Sequence, residues 1–202
     1  ALDFKKKVLL IEKNKVGGAG VTNGALSSKT WWELSREAAS FQKNLKRYNL
    51  SVPSISYKEI QQEVQSAVSE RMQMLEEHIA DLRSSTYSTL LEFIKGEARL
   101  IGQHEVEILQ GAKKEIVQAD YIILATGSRP RYLPELPIDE KIVMTSEGIE
   151  GLEEFPESMV IVGAGVIGCE YATIFSGFGR TKVNVIDKGD RILPFEDADV
   201  VK

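Results

Sequence analysis

Apolar positions along the chain fall into two rhythms, short runs of strand type and longer stretches with helical spacing. Lys7 to Glu12 is an apolar run bounded by lysine, and the Gly17-Gly18 pair breaks it with a loop. Ser27 or Ser28 then caps a helix predicted through about Ser40, carrying Trp31 and Trp32, of which one is expected to be buried and one half-exposed. An irregular stretch ends near Pro53. Ser56 and Glu59 have the spacing of a capping box, and Ile60, Val64, Val68, Leu75, Ile79 and Leu82 recur near helical spacing, which predicts a long amphipathic helix packed on its own domain. From Glu97 to Val117 the pattern becomes two or three short strands with a turn at Gly111, a β-meander. Tyr121 to Ala125 then reads as a buried strand of parallel type. Residues 128–140 hold three of the six prolines and form a natural linker.

Beyond the linker, MVIVGAGVIGCEYATIFSGFGRTKVNVID runs as strand, glycine turn, helix and second strand ending in an acid. This is the pattern of a dinucleotide-binding βαβ unit. Gly163 allows the tight turn, Gly165 lets backbone approach a pyrophosphate, and Gly168 lets the helix pack closely on the strand. The free N–H groups and dipole at the helix start attract phosphate. Asp187 lies 19 positions beyond Gly168, where a carboxylate can accept hydrogen bonds from both hydroxyls of an adenosine ribose. The order βα, meander, β, linker, βαβ predicts two α/β nucleotide-binding domains in tandem.

Composition changes this picture mainly by exclusion. A net charge of -5 and a pI near 5.3 argue against nucleic acid as a partner, because phosphate contacts need clustered Lys and Arg. Cys169 is the single cysteine, so neither an internal disulfide nor a thiolate metal cluster can form. His78 and His104 are isolated and make no metal site. The longest apolar stretches are far shorter than a membrane span, and no signal peptide is visible. The compartment stays open between cytoplasm and mitochondrial matrix. Ala1 in place of a Met, and an opening that reads as a helix end running into a strand, predict an internal piece of a longer protein.

Three ordered segments, VLLIEKNKVGGAGVTNGALSSK, IILATGSRP and VIVGAGVIGCE, together resemble the pyridine nucleotide-disulfide oxidoreductase family, which includes dihydrolipoamide dehydrogenase, glutathione reductase and the soluble transhydrogenase. The resemblance implies an α/β fold of two Rossmann-like FAD/NAD(P)-binding domains of three-layer ββα type, both incomplete. Residues 1–140 would be an FAD-binding domain lacking its first strand and glycine turn. Residues 141–202 would be the N-terminal part of an NAD(P)-binding domain. It also implies that Glu12 holds the FAD adenosine ribose, that Gly18 and Gly20 lie along the FAD pyrophosphate and flavin, that Ala98 offers backbone to the adenine, and that Ala125, Thr126 and Gly127 line the dinucleotide. Gly163, Gly165, Gly168 and Asp187 would hold NAD, and the full-length protein would be a homodimer.

The departure from the family is informative. Its members carry a redox cysteine pair in a stretch like GGTCLNVGCIPSK, where this chain has Gly20 and Ala25. Cys169 cannot substitute, since it sits on the other nucleotide domain, and it reads as a small packing residue. Lys29 stands where family members set a lysine beside flavin N5, and Glu170 where they place its ion-pair partner. The resemblance therefore implies an FAD-dependent NAD(P)H oxidoreductase that hands electrons from flavin directly to a small-molecule acceptor: a second nicotinamide, a quinone or oxygen. A relative that keeps the fold as a structural or assembly subunit is the alternative.

Overall fold

The computed structural model describes residues 1–51 and 53–201 as a mixed α/β protein. Its contacts divide the chain into two units: Ala1–Thr22 with Val68–Arg129, and Asn23–Ala67 with Pro130 onward. Residues 23–67 group with the C-terminal stretch because their apolar side chains find cover there.

In the first unit, β1 (Val8–Glu12) pairs in parallel with β2 (Leu91–Lys95), Val8 opposite Leu91 and Glu12 opposite Lys95. The predicted glycine loop after β1 turns directly into a short helix, α1 (Gly18–Thr22). Gly17 has φ +98°, and a Cβ there would lie 2.9 Å from the Val21 side chain, so the bend requires glycine. The meander forms as expected: β3 (Glu97–Leu100), β4 (Glu105–Gln110) and β5 (Lys113–Gln118) are antiparallel, joined at Gly111 with φ +60°. Central strand β4 buries Val106, Ile108 and Glu107, the last paired with Lys114 at 2.5 Å.

The strand expected over Tyr121 to Ala125 does not form. These residues are irregular, and Tyr121 and Ile123 are 88% and 86% exposed. A parallel-type strand needs a ladder partner, and the sheets among the described residues leave this run unpaired. Apolar composition alone does not make a strand.

In the second unit, α2 (Ala25–Arg47) and the start of α3 (Tyr57–Ser84) join β6 (Ser158–Val162), α4 (Val166–Phe178) and β7 (Lys182–Ile186). Ser27 and Ser28 do not cap α2: the N-cap is Gly24, and Ser27 turns back to the Gly24 carbonyl at 3.2 Å. The helix also runs on past Ser40 to Arg47, because its later turns are used against α4. Ser35 Oγ donates to the Ile174 carbonyl at 2.7 Å, and Gln42 donates to the Phe178 carbonyl at 2.9 Å, satisfying an acceptor at the α4 terminus. A Cβ on Gly177 would fall 2.1 Å from Ser35 Oγ, so small residues set this close crossing. The capping-box serine does act, accepting the Glu59 amide on Ser56 Oγ at 3.3 Å. β6 and β7 are parallel, Met159 opposite Val183, as a βαβ unit demands.

Trp31, Tyr57, Val64, Ile149, Ile174, Phe175 and Phe178 form the core of this unit, with Trp32 and Phe155 at its margin. Burial pushes the Tyr171 phenol up to about 12, aided by Glu170 and Glu150, and burial raises Tyr57 as well. Both phenols stay neutral when folded but ionise near their ordinary value when unfolded. Their contribution is therefore intact below about pH 10 and is lost as pH climbs toward about 12. Urea midpoints should be level up to about pH 9.5 and fall steeply by about pH 11; a midpoint unchanged at the higher pH would contradict this burial.

Candidate nucleotide and flavin site

The glycine turn sits between the end of β6 and the start of α4. Gly163 has φ +110°, and its amide donates to the Ile186 carbonyl at 2.8 Å, tying the turn to the end of β7. A Cβ on Gly168 would lie 2.0 Å from the Gly163 carbonyl oxygen, so α4 can lie against the strand only without a side chain there. Gly165 is different. It is the α4 N-cap with φ -78°, which any residue adopts, and a Cβ there would meet nothing within 4 Å. Neither backbone conformation nor packing within the protein explains glycine at this position. The side of Gly165 where a Cβ would stand is open, and no side chain caps the N-terminal amides of α4.

Asp187 follows β7 directly, and its carboxylate is engaged on both oxygens, Oδ2 by the Ala164 amide and Oδ1 by the Gly189 amide, each at 2.7 Å. These bonds hold its pKa below the usual carboxylate value. The contact with Ala164 was not foreseeable from spacing, which placed Asp187 toward a ribose only. Arg191 could have offered a cation to a 2′-phosphate, but its guanidinium donates to the carbonyls of Pro194, at 3.1 Å, and Glu196. Cys169 is half-buried and its thiol donates to the Ala164 carbonyl at 3.4 Å.

Lys29, near the start of α2, and Glu170, on the first turns of α4, form an ion pair although they are 141 residues apart. The lysine side chain is 66% exposed and the glutamate 15%. An ion pair this open contributes little stability. What it fixes is direction, since the carboxylate anchors one side of an ammonium whose other side faces outward.

In the first unit, Glu12 ends β1, and its carboxylate accepts the Asn14 amide on Oε1 at 2.6 Å. Gly18 and Gly20 have nothing within 4 Å of a would-be Cβ. Ala98 is exposed on edge strand β3, while Gly96 is glycine for a packing reason, since a Cβ there would lie 2.8 Å from the Leu109 carbonyl oxygen. An open groove of about 400 Å³ runs past Lys13, Asn14, Lys95, Gly96, Glu97 and Gln110. Ala125, Thr126 and Gly127 lie exposed in irregular backbone and are not brought to Glu12 by any described strand. Gly20 lies in α1, and Ala25 is the first residue of α2. Among the described residues no cluster of three or more His, Cys, Asp or Glu could hold a metal, and no helix is long and apolar enough to cross a membrane.

The sequence model of the pyridine nucleotide-disulphide oxidoreductase family matches residues 1–202. The chain belongs to this family. It is one of FAD-dependent oxidoreductases that use NAD(P)H. The chain is 32% identical over 201 residues to a dihydrolipoyl dehydrogenase of Bacillus subtilis (strain 168), covering 98% of this chain and 42% of that protein. It is 34% identical over 200 residues to a soluble pyridine nucleotide transhydrogenase of Mycobacterium bovis (strain BCG / Pasteur 1173P2), with the same coverage of 98% and 42%. The crystal structure of LpdA from Mycobacterium tuberculosis superposes with a TM-score of 0.78 at 25% identity over 96% of this chain and 42% of that one. The HOCl-induced flavoprotein disulfide reductase RclA from Escherichia coli shares the fold, with a TM-score of 0.73 at 22% identity over 98% of this chain and 40% of that one. The chain thus spans less than half the length of these relatives.

Proposed function

We propose that the full-length protein is an FAD-dependent NADH oxidoreductase that works without a redox disulfide. The observation that carries this reading is the Lys29–Glu170 pair, formed across two helices in a chain that has Gly20 and Ala25 where the family keeps its cysteines. Bound NADH would supply a hydride to bound flavin. Lys29 would place a fixed positive charge beside the flavin as it takes on negative character, and Glu170 would hold that ammonium in place. Gly163, Gly165 and Gly168 give the NAD pyrophosphate access to the amides opening α4, and Asp187 accepts from the adenosine ribose. Glu12 accepts from the FAD ribose, Gly18 and Gly20 leave room along the pyrophosphate and flavin, Ala98 gives backbone to the adenine, and Ala125 to Gly127 line the dinucleotide. In this reading residues 1–140 serve FAD and 141–202 serve NAD, as two Rossmann-like domains in tandem, in a homodimer with a small-molecule electron acceptor.

Thiol-disulfide exchange needs an attacking thiolate, which Gly20 and Ala25 cannot supply. With the full-length protein, lipoamide and glutathione disulfide should be reduced at background rate while an artificial acceptor that meets the flavin directly is reduced in an NADH-dependent reaction. Robust lipoamide reduction would overturn the proposal. No turnover with any acceptor would favour a structural subunit.

A further inference from the structure

We propose that Asp187 is a positioning residue for the glycine turn: by binding the Ala164 amide it holds the phosphate-facing turn in shape, in addition to facing the ribose. The inference rests on the nucleotide-site reading given above.

Ala164 is 2% exposed with Asp187 in place, so in the folded chain its N–H is taken by the carboxylate and not by water. Asp187 reaches it across 23 residues of chain, at a length typical of a charge-assisted bond. The same residue is gripped at its carbonyl, which accepts the Leu193 amide at 2.7 Å and the Cys169 thiol. Gly163 beside it is tied to Ile186. By contrast, the sides of Gly163 and Gly165 where a Cβ would stand are open, and α4 has no side-chain cap. The turn is therefore held from behind, at Ala164, and the acid after β7 is one of its fastenings. Each carboxylate oxygen spends one lone pair on backbone and keeps another for a ribose hydroxyl. The Gly189 amide, bound to the other oxygen, stops the carboxylate from swinging aside.

The two roles predict opposite signs for an anion that lacks a ribose. If Asp187 were a ribose ligand only, removing its charge would tighten inorganic pyrophosphate at the turn, because a nearby negative charge is gone. If it fastens the turn, Asp187→Ala should weaken pyrophosphate, while Asp187→Asn, which keeps its one acceptor oxygen for Ala164, gives up the Gly189 bond and drops the charge, should bind it at least as well as the parent. The experiment is hydrogen–deuterium exchange by mass spectrometry on the full-length protein, following the peptide across residues 160–170, alone and with increasing pyrophosphate. In Asp187→Ala the ligand-free peptide should exchange about tenfold faster or more, and half-protection should need about tenfold more pyrophosphate; in Asp187→Asn both should stay within about threefold of the parent or improve. Parental exchange in Asp187→Ala, or tighter pyrophosphate binding by both variants, would overturn the proposal. The α2 peptides report global folding. If they show that Asp187→Ala unfolds as a whole, the inference stands or falls on Asp187→Asn keeping the turn protected. Failure of pyrophosphate and NADH to protect the parent turn would sink the nucleotide-site reading, and the ligand-free exchange would still decide this one.

Discussion

Gly165→Ala should leave the full-length protein folded yet unable to bind NADH tightly, whereas Gly168→Ala should damage both folding and binding. A Cβ on Gly165 meets nothing in the protein and its φ of -78° suits alanine, so the cost in stability is that of a poorer N-cap, less than about 1 kcal/mol. In the proposed site the same methyl stands where a pyrophosphate would approach the α4 amides, and losing one charge-assisted hydrogen bond there corresponds to a loss of affinity of about tenfold or more. At Gly168 the new Cβ would be 2.0 Å from the Gly163 carbonyl oxygen, a backbone atom that can move only if the turn opens. Thermal melts and NADH titration of the two variants check this. A Gly165→Ala protein that binds NADH as well as the parent would mean that the open face of the turn receives no phosphate.

The largest loss of stability is expected from Trp31→Ala. The indole is 1% exposed, lies 5.1 Å from the Tyr57 ring, and meets Phe178 edge-on at 6.1 Å. Truncation removes that burial and leaves a cavity walled by aromatic rings that cannot collapse into it, a loss of about 3–5 kcal/mol. For a protein of this size or larger the melting temperature should fall by on the order of 10 °C. Trp32→Ala, at the margin of the core, should cost less than half as much. Equal losses at the two positions would contradict the placement of Trp31 at the centre of the cluster.

The parts of the molecule legible in the sequence are those set by local spacing. The βαβ unit is readable because glycine at 163, 165 and 168, two apolar runs and a terminal acid are all close along the chain. The meander is readable from alternation and the Gly111 turn. What escaped depends on contacts between distant residues. The C-terminal turns of α2 gain from Gln42 meeting the Phe178 carbonyl, although Lys46 and Arg47 in the last turn, favourable for the helix dipole, were a signal of the true end. Tyr121 to Ala125 has the composition of a buried strand, yet pairing is not a property of composition. The Lys29–Glu170 pair spans 141 positions and no periodicity could suggest it; only the family resemblance brought the two together. Asp187 was legible as a strand-end acid, and its bond to Ala164 was not.

In the proposed reaction the flavin takes two electrons from NADH and passes them straight to the acceptor, with no disulfide between flavin and acceptor. Anaerobic titration of the purified full-length protein with NADH, followed by its flavin absorption, tests this most directly. NADH should bleach the flavin with two electrons per flavin and no further reducing equivalents, since Gly20 and Ala25 stand where a cysteine pair would store a second pair of electrons. NADPH at the same concentration should do so far more slowly, because the pinned Asp187 carboxylate repels a 2′-phosphate. Flavin left unbleached by NADH, or four electrons taken up per flavin, would contradict it.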